Sequence, residues 1–159
     1  MSEIAAQLHG LLLAQKQTVA TAESLTAGLL GAALTDIAGS STTYRGGVIA
    51  YATDLKAELL GVDRELLADR GAVDPDVAIA MAVGARSRLT ADWGVALTGV
   101  AGPDPQDGKP PGLVYVGVAG PTGGVTATEL RLSGDRNAVR TAARDAALRV
   151  LCDSVAAGE

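Results

Sequence analysis

The chain has 159 residues, a length that suits one domain with a buried core. Aromatic residues make up only 3% of it and Phe is absent, so we expect a core of close-packed Ala, Val, Leu and Ile. Thirteen basic against eighteen acidic residues give a net charge of −5, which argues against a protein that binds nucleic acid through a basic face.

Helical and β-prone segments alternate along the chain, each bounded by recognisable stop signals. Gly39 and Gly61 are typical helix stops, Asp74-Pro75 is a typical helix start, and the segment 120–124 is typical of a hairpin turn. The predicted elements in chain order are helix 3–15, strand 18–22, helix 24–39, strand 44–52, helix 53–61, helix 74–89, strand 93–98, strand 112–119, strand 125–132 and a last helix that opens at 135.

This alternation, with one late hairpin, predicts the α/β class. We expect a three-layer α/β/α sandwich in which helices cover both faces of a mixed sheet, and a single domain over residues 1–159. The amino-terminal residues MSEIAAQLHG do not read as a signal peptide, and no stretch reaches the apolar length of a membrane span. We therefore expect a cytoplasmic protein with no membrane partner.

Few reactive side chains are available for chemistry. The only histidine, His9, lies on an amphipathic helix and is interpreted as a surface or partly packed side chain, which disfavours a Ser–His–Asp triad or a histidine metal site. The only cysteine, Cys152, lies in a helical pattern and is interpreted as a small buried residue, so no disulfide framework is expected.

Ser24 stands where a predicted strand turns into a helix. At the carboxyl end of a strand its hydroxyl would face the edge where open α/β sheets bind ligands, close to the positive end of the helix. A plain helix N-cap is the alternative interpretation. Position alone leaves both open.

A nucleophilic serine without histidine needs another base, and a lysine kept neutral by burial is the usual substitute. The chain has three lysines, of which Lys56 follows the strand GGVIAY closely enough to share the edge of Ser24. Tyr51, at the end of that strand, is placed to hydrogen-bond into the same site. The alternative for Lys56 is an exposed position on a short helix.

Two further segments suit an anionic ligand. The loop that begins Thr98-Gly99-Val100-Ala101-Gly102 follows a strand, and its glycines allow close backbone approach, although it matches no standard phosphate motif. Arg136 and Arg140 lie one helical turn apart and either grip a phosphate or carboxylate together or are solvated arginines on a capped helix. Asp104 and Asp107, flanked by Pro and Gly, are interpreted as part of an exposed lid rather than as metal ligands.

Together these segments resemble the CinA C-terminal family, whose members include nicotinamide-nucleotide amidohydrolases. The resemblance covers nearly the whole chain in the expected order and spacing. The matching stretches are TAESLTAG at 21–28, DIAGSS at 36–41, RGGVIAYATDLKAELLGV at 45–62, GAV at 71–73, VAIAMAVGA at 77–85, TGVAGPD at 98–104 and GDRNAVR at 134–140.

The resemblance implies hydrolysis of nicotinamide mononucleotide to nicotinate mononucleotide and ammonia, in pyridine-nucleotide recycling, without a metal or other cofactor. It implies Ser24 as nucleophile and Lys56 as general base, with Tyr51 and Ser41 assisting proton transfer or holding the lysine. The implied substrate-binding residues are Thr98, Gly99, Gly102, Arg136 and Arg140. It also makes a homo-oligomer expected.

The chain departs from many relatives after the serine, where Leu25-Thr26-Ala27-Gly28 replaces Cys-Thr-Gly-Gly. Leu25 is expected to fill a core position, and Ala27 restricts the backbone beside the nucleophile. Two alternatives stay open from the sequence. One is an amidase for another small amide, and the other is a non-catalytic nucleotide-binding domain or a partner domain associated with competence or DNA damage.

Overall fold

A computed structural model describes residues 2–158. The helices are α1 (Glu3–Gln15), α2 (Leu29–Thr35), α3 (Thr53–Leu60), α4 (Arg64–Arg70), α5 (Pro75–Arg88) and α6 (Arg136–Ala157), with a short 3₁₀ helix at Ser40–Thr42. The strands are β1 (Val19–Glu23), β2 (Tyr44–Ile49), β3 (Trp93–Gly99), β4 (Leu113–Ala119) and β5 (Val125–Arg131).

The five strands form one mixed sheet in the order β2-β1-β3-β4-β5. Strands β2 and β3 both pair with β1 in parallel, whereas β4 and β5 are antiparallel to their neighbours. The three parallel strands therefore end at the same edge of the sheet, and the loops that follow them meet there.

Each face of the sheet has its own hydrophobic core. On one face α1, α2 and α6 cover large apolar residues of the central strands, including Trp93, Val95 and Leu97. On the other face α5 lies over small residues such as Ala20, Ala22 and Ala96. The alternation of large and small side chains along β1 and β3 follows from the two-residue period of a strand.

Glycine lets α5 lie unusually close to the sheet. A Cβ at Gly94 would overlap the carbonyl of Ala82, and one at Gly117 would overlap the carbonyl of Ala78. The helix backbone therefore rests directly on these strands, which fixes the thickness of this layer.

The predicted three-layer α/β/α fold with a mixed sheet is confirmed. Most predicted elements match in place, and Asp74 and Asp135 cap α5 and α6 as expected. Helix α4 was not predicted, and α2 begins at Leu29 rather than just after Ser24. The longest helix described, α6, has 22 residues, but no helix within 2–158 is both long and apolar enough to span a bilayer.

Candidate active site

Ser24 lies on a tight turn between β1 and α2. The Ala27 N–H donates to the carbonyl of Ser24 at 3.1 Å, and the backbone φ is +45° at Ala27 and +100° at Gly28. Gly28, not Ser24, is the N-cap of α2. The N-cap interpretation of Ser24 is therefore wrong, and the serine side chain is free for another role.

Glu23 determines where α2 begins. Its buried carboxylate accepts hydrogen bonds from the N–H groups of Leu30 at 2.9 Å and Gly31 at 3.1 Å, in the first turn of that helix. The positive end of α2 is thus neutralised by Glu23. The helix end that the sequence places close to Ser24 is therefore already paired with a carboxylate.

Lys56 reaches Ser24 through the core. It projects from α3, which follows β2 by a short connection, and only 1% of its surface is exposed. Its Nζ lies 2.9 Å from Ser24 Oγ, 2.7 Å from the Ala50 carbonyl oxygen and 3.3 Å from the Tyr51 carbonyl oxygen. The sequence-based alternative of an exposed Lys56 is wrong.

The surroundings of Lys56 make its neutral form more accessible than that of a solvated lysine. Burial lowers the pKa of Lys56 to about 8, because an ammonium loses its hydration there. No salt bridge joins Lys56 to a carboxylate among the described residues. A neutral amine has two N–H donors and one lone pair, which matches two carbonyl oxygens and one hydroxyl donor. Ser24 O–H therefore donates to the lone pair when Lys56 is neutral.

A cavity of about 500 Å³ opens beside Ser24 at the carboxyl edge of the parallel strands. It is lined on one side by residues after β1 and β2, and on the other by the loop after β3. Of the predicted site residues, the lining includes Ser24, Tyr51, Gly99, Gly102 and Arg136. The volume suits a small-molecule ligand.

Arg136 and Tyr51 stand together in the wall of this cavity. The Arg136 guanidinium donates to the Tyr51 hydroxyl at 3.0 Å and to the Gly102 carbonyl at 2.6 Å. Tyr51 is 56% exposed, and it contacts Lys56 through its carbonyl rather than its phenol. The predicted support of the lysine by Tyr51 thus comes from the backbone. The phenol instead orients an arginine that faces the cavity.

Arg140 and Thr98 lie near the cavity but do not line it. Arg140 donates to the carbonyls of Leu25 at 2.8 Å and Thr26 at 3.4 Å, so it holds the turn that carries Ser24. Thr98 is buried, and its hydroxyl donates to the Ala72 carbonyl at 2.6 Å. The expected direct binding of substrate by these two side chains is corrected to support of the site.

Within a single chain, Ser41 does not lie near Ser24. It lies exposed in the 3₁₀ helix before β2, whereas Ser24 and Lys56 lie beyond the carboxyl ends of β1 and β2. Because β1 and β2 are parallel and β2 spans six residues, roughly 20 Å of strand separates Ser41 from that edge. The expected contact of Ser41 with Lys56 is therefore wrong for a single chain.

The loop after β3 forms an exposed arm beside the cavity. Asp104 lines the cavity, and Asp107 accepts a hydrogen bond from the Ala72 N–H at 3.4 Å. Within residues 2–158 no three His, Cys, Asp or Glu side chains are grouped to hold a metal ion. The metal-free reaction stays a prediction for experiment.

Sequence reasoning missed the roles of Glu23 and of the Ala50 carbonyl. Glu23 carried a detectable signal, because it is an acidic residue at the end of an otherwise apolar β-prone run. The Ala50 carbonyl carried none, since any residue has a carbonyl group. Leu25 is buried in the core as expected and also lines the cavity.

The sequence and fold have close counterparts among known proteins. The family model of the CinA C-terminal domain matches residues 1–155. A CinA-like protein of Frankia casuarinae is 54% identical over 139 residues, which cover 87% of this chain and 32% of that protein. A CinA-like protein of Thermosynechococcus vestitus is 54% identical over 127 residues, covering 79% and 30% respectively. The chain thus spans about a third of the length of these relatives.

Two solved structures match over almost their full length. A competence-damaged protein (CinA) superfamily protein from Klebsiella pneumoniae superposes with a TM-score of 0.93 at 32% identity, covering 97% of this chain and 96% of that one. The competence/damage inducible protein CihA from Agrobacterium tumefaciens gives a TM-score of 0.91 at 38% identity, covering 95% and 93%.

Proposed function

Because the chain belongs to the CinA C-terminal domain family, we propose that it is an amidohydrolase in which Ser24 is the nucleophile and Lys56 the general base. Its proposed substrate is nicotinamide mononucleotide, cleaved to nicotinate mononucleotide and ammonia. The observation that carries the proposal is the 2.9 Å contact between the buried Lys56 Nζ and Ser24 Oγ.

The chemistry of this pair follows from its protonation. Lys56 Nζ takes the Ser24 hydroxyl proton as Oγ attacks the carboxamide carbon, and the carbonyl electron pair moves to its oxygen. When the tetrahedral intermediate collapses, the C–N bond breaks and the leaving nitrogen takes the proton from Lys56. Ammonia departs and an ester remains on Ser24.

The second half of the reaction uses the same base. Water gives a proton to Lys56 and attacks the ester carbon, after which the C–Oγ bond breaks and Ser24 regains its proton. The product is a carboxylic acid, which loses its remaining proton to solvent and becomes the carboxylate. Lys56 returns to its neutral form, so one buried amine serves both steps without a second titrating side chain.

The cavity wall supports an anionic substrate. Arg136 carries five N–H donors, and its bonds to Tyr51 and Gly102 leave others free to bind a phosphate. Ser24 and Arg136 line the same cavity, so a ligand can contact both at once. This arrangement favours a nucleotide amide over an uncharged one.

The test is ammonia release from nicotinamide mononucleotide by the wild type, Ser24→Ala and Lys56→Met, with a chelator present. We expect chelator-insensitive release by the wild type and a loss of about 10³-fold or more in kcat for both variants. Ser133→Ala and Lys16→Met change exposed residues outside the cavity and serve as matched controls with unchanged rates.

The outcomes separate the substrate from the mechanism. If the folded wild type releases ammonia from another small amide in a panel but not from the mononucleotide, the substrate assignment fails and the serine–lysine pair stands. If Ser24→Ala retains wild-type turnover, the pair itself is not catalytic. No release from any amide would favour the non-catalytic role.

A further inference from the structure

The ladder between β1 and β3 determines where each β3 N–H group points. The Trp93 N–H donates to the Thr18 carbonyl, and the Ser24 N–H donates to the Leu97 carbonyl. Trp93 pairs with Val19 and Leu97 pairs with Glu23 in this parallel ladder. The odd-numbered residues of β3 therefore form their backbone hydrogen bonds with β1. The next odd residue is Gly99, so its N–H points toward the chain that follows β1.

On its other side β3 pairs with β4, and there the even-numbered residues form the hydrogen bonds. Val100 bonds toward β4, where it donates to the Leu113 carbonyl and accepts from the Gly112 N–H. Gly99 therefore has no partner on that side, and its N–H faces Ser24 alone. In a continued ladder it would donate to the Ser24 carbonyl.

That bond is not formed, because the chain turns sharply at Ser24. The Ser24 carbonyl is taken by the Ala27 N–H instead. Among the hydrogen bonds of residues 2–158, none has the Gly99 N–H as donor to the Ser24 turn. Gly99 is buried and lines the same cavity as Ser24, so this donor is left free beside the nucleophile.

We propose that the backbone N–H of Gly99 is an oxyanion donor, which binds the negatively charged oxygen formed when Ser24 attacks an amide. A free N–H fixed by a strand is preorganised, so it stabilises the intermediate without reorganisation during the reaction. This inference rests on the proposed function of Ser24. It adds a catalytic group that belongs to the backbone and needs no conformational change to act.

Glycine at this position has a steric reason as well. A Cβ at residue 99 would lie 2.6 Å from Val114 Cγ2 and 2.8 Å from the Leu113 carbonyl oxygen. Close approach of β4 therefore excludes a side chain. A Gly99→Ala variant would move the strand, so the test must alter the N–H group and leave the side chain unchanged.

The first experiment observes this N–H directly by NMR. Labelling with ¹³C-carbonyl threonine and ¹⁵N-glycine makes only Thr-Gly pairs visible in an HNCO spectrum, and the sequence has two, Thr98-Gly99 and Thr122-Gly123. Pyridine-3-boronic acid is the probe. Its boron accepts the Ser24 oxygen as the hydroxyl proton passes to Lys56, which gives a tetrahedral anion like the intermediate.

We expect the Gly99 amide proton to shift downfield when the boronate adduct forms, and the Gly123 resonance to stay in place. Gly123 lies in the distant β4–β5 hairpin and is the internal control. Ser24→Ala, which cannot form the adduct, must abolish the shift. An adduct proven by mass spectrometry with an unmoved Gly99 resonance would overturn the inference while leaving the nucleophile intact.

The second experiment removes the donor. Glycolic acid in place of Gly99 converts the Thr98–Gly99 amide into an ester, which lacks the N–H but keeps the shape. We expect kcat to fall by roughly 10²- to 10³-fold with little change in KM. The same replacement at Gly123 is the matched control. Unchanged kcat would refute the oxyanion role, whereas an inactive wild type would instead refute the proposed function on which it rests.

Discussion

Lys56 can act as a base only in its neutral form, and burial is what makes that form accessible near neutral pH. An ordinary lysine has a pKa near 10.5, whereas burial lowers that of Lys56 to about 8. The carbonyls of Ala50 and Tyr51 keep the amine directed at Ser24. In the proposed reaction, the same hydrogen bonds stabilise the ammonium that forms when Lys56 takes the proton.

The rate should therefore follow the neutral fraction of Lys56. Below pH 8 the ammonium dominates, so we expect kcat/KM for ammonia release to rise about tenfold per pH unit and to level off above pH 8. Lys56→Arg, which stays charged throughout, should be inactive at every pH. A profile that is flat between pH 6 and 9 would contradict Lys56 as the base.

At the residue scale, the sequence predicts which side chains belong to the site when they follow directly after a strand that ends at the carboxyl edge of the sheet. Ser24 and Lys56 are placed by this logic and Arg136 by its position at the start of the last helix, and all three are found at one edge of the sheet. Arg140 and Thr98 lie at equally suitable positions, yet each is turned onto a backbone carbonyl. Such orientation depends on long-range packing, which spacing along the chain does not encode.

At the element scale, the β1–α2 connection differs most from its prediction. Apolar residues at helical spacing from Leu25 onward predict a helix directly after Ser24. The buried Glu23 carboxylate instead caps a helix that starts at Leu29, and positive φ angles at Ala27 and Gly28 form the turn between. A tertiary hydrogen bond thus overrides the local pattern.

Arg140 connects α6 to this turn through hydrogen bonds. Replacing it should disturb the position of Ser24 without removing a contact with substrate. We expect Arg140→Met to lower kcat at least tenfold, since two loop carbonyls lose their donor, and to reduce the free energy of unfolding by about 1–3 kcal/mol. Arg140→Lys should recover part of the activity. Measuring ammonia release well below the unfolding temperature separates the loss of activity from the loss of stability.

The control for Arg140→Met is Arg149→Met, which changes an exposed arginine on the same helix. It should leave both activity and stability near wild-type values. An Arg140→Met variant with wild-type kcat would show that the turn holds its shape without α6.

At the scale of the whole molecule, the three-layer order could be predicted because alternating helical and β-prone segments allow few arrangements. The mixed sheet follows from the alternation of helices and strands early in the chain and a hairpin late in it, whereas the strand order was not predicted. The distance between layers could not be predicted in this way. It depends on which glycines of β3 and β4 lie directly under α5.

The close packing of α5 on the sheet leads to a prediction about stability. Gly117→Ala places a methyl group against the Ala78 carbonyl, so α5 must move away from β4, and we expect a loss of about 1–3 kcal/mol in the free energy of unfolding. Gly10→Ala is the matched control, because Gly10 is exposed within α1 and the added Cβ would meet no atom within 4 Å beyond its own stretch of helix. There the same change should stabilise by about 1 kcal/mol, through helix propensity alone. Denaturant unfolding measures both, and equal effects at the two glycines would mean that the contact of α5 with the sheet does not limit the packing of the layers.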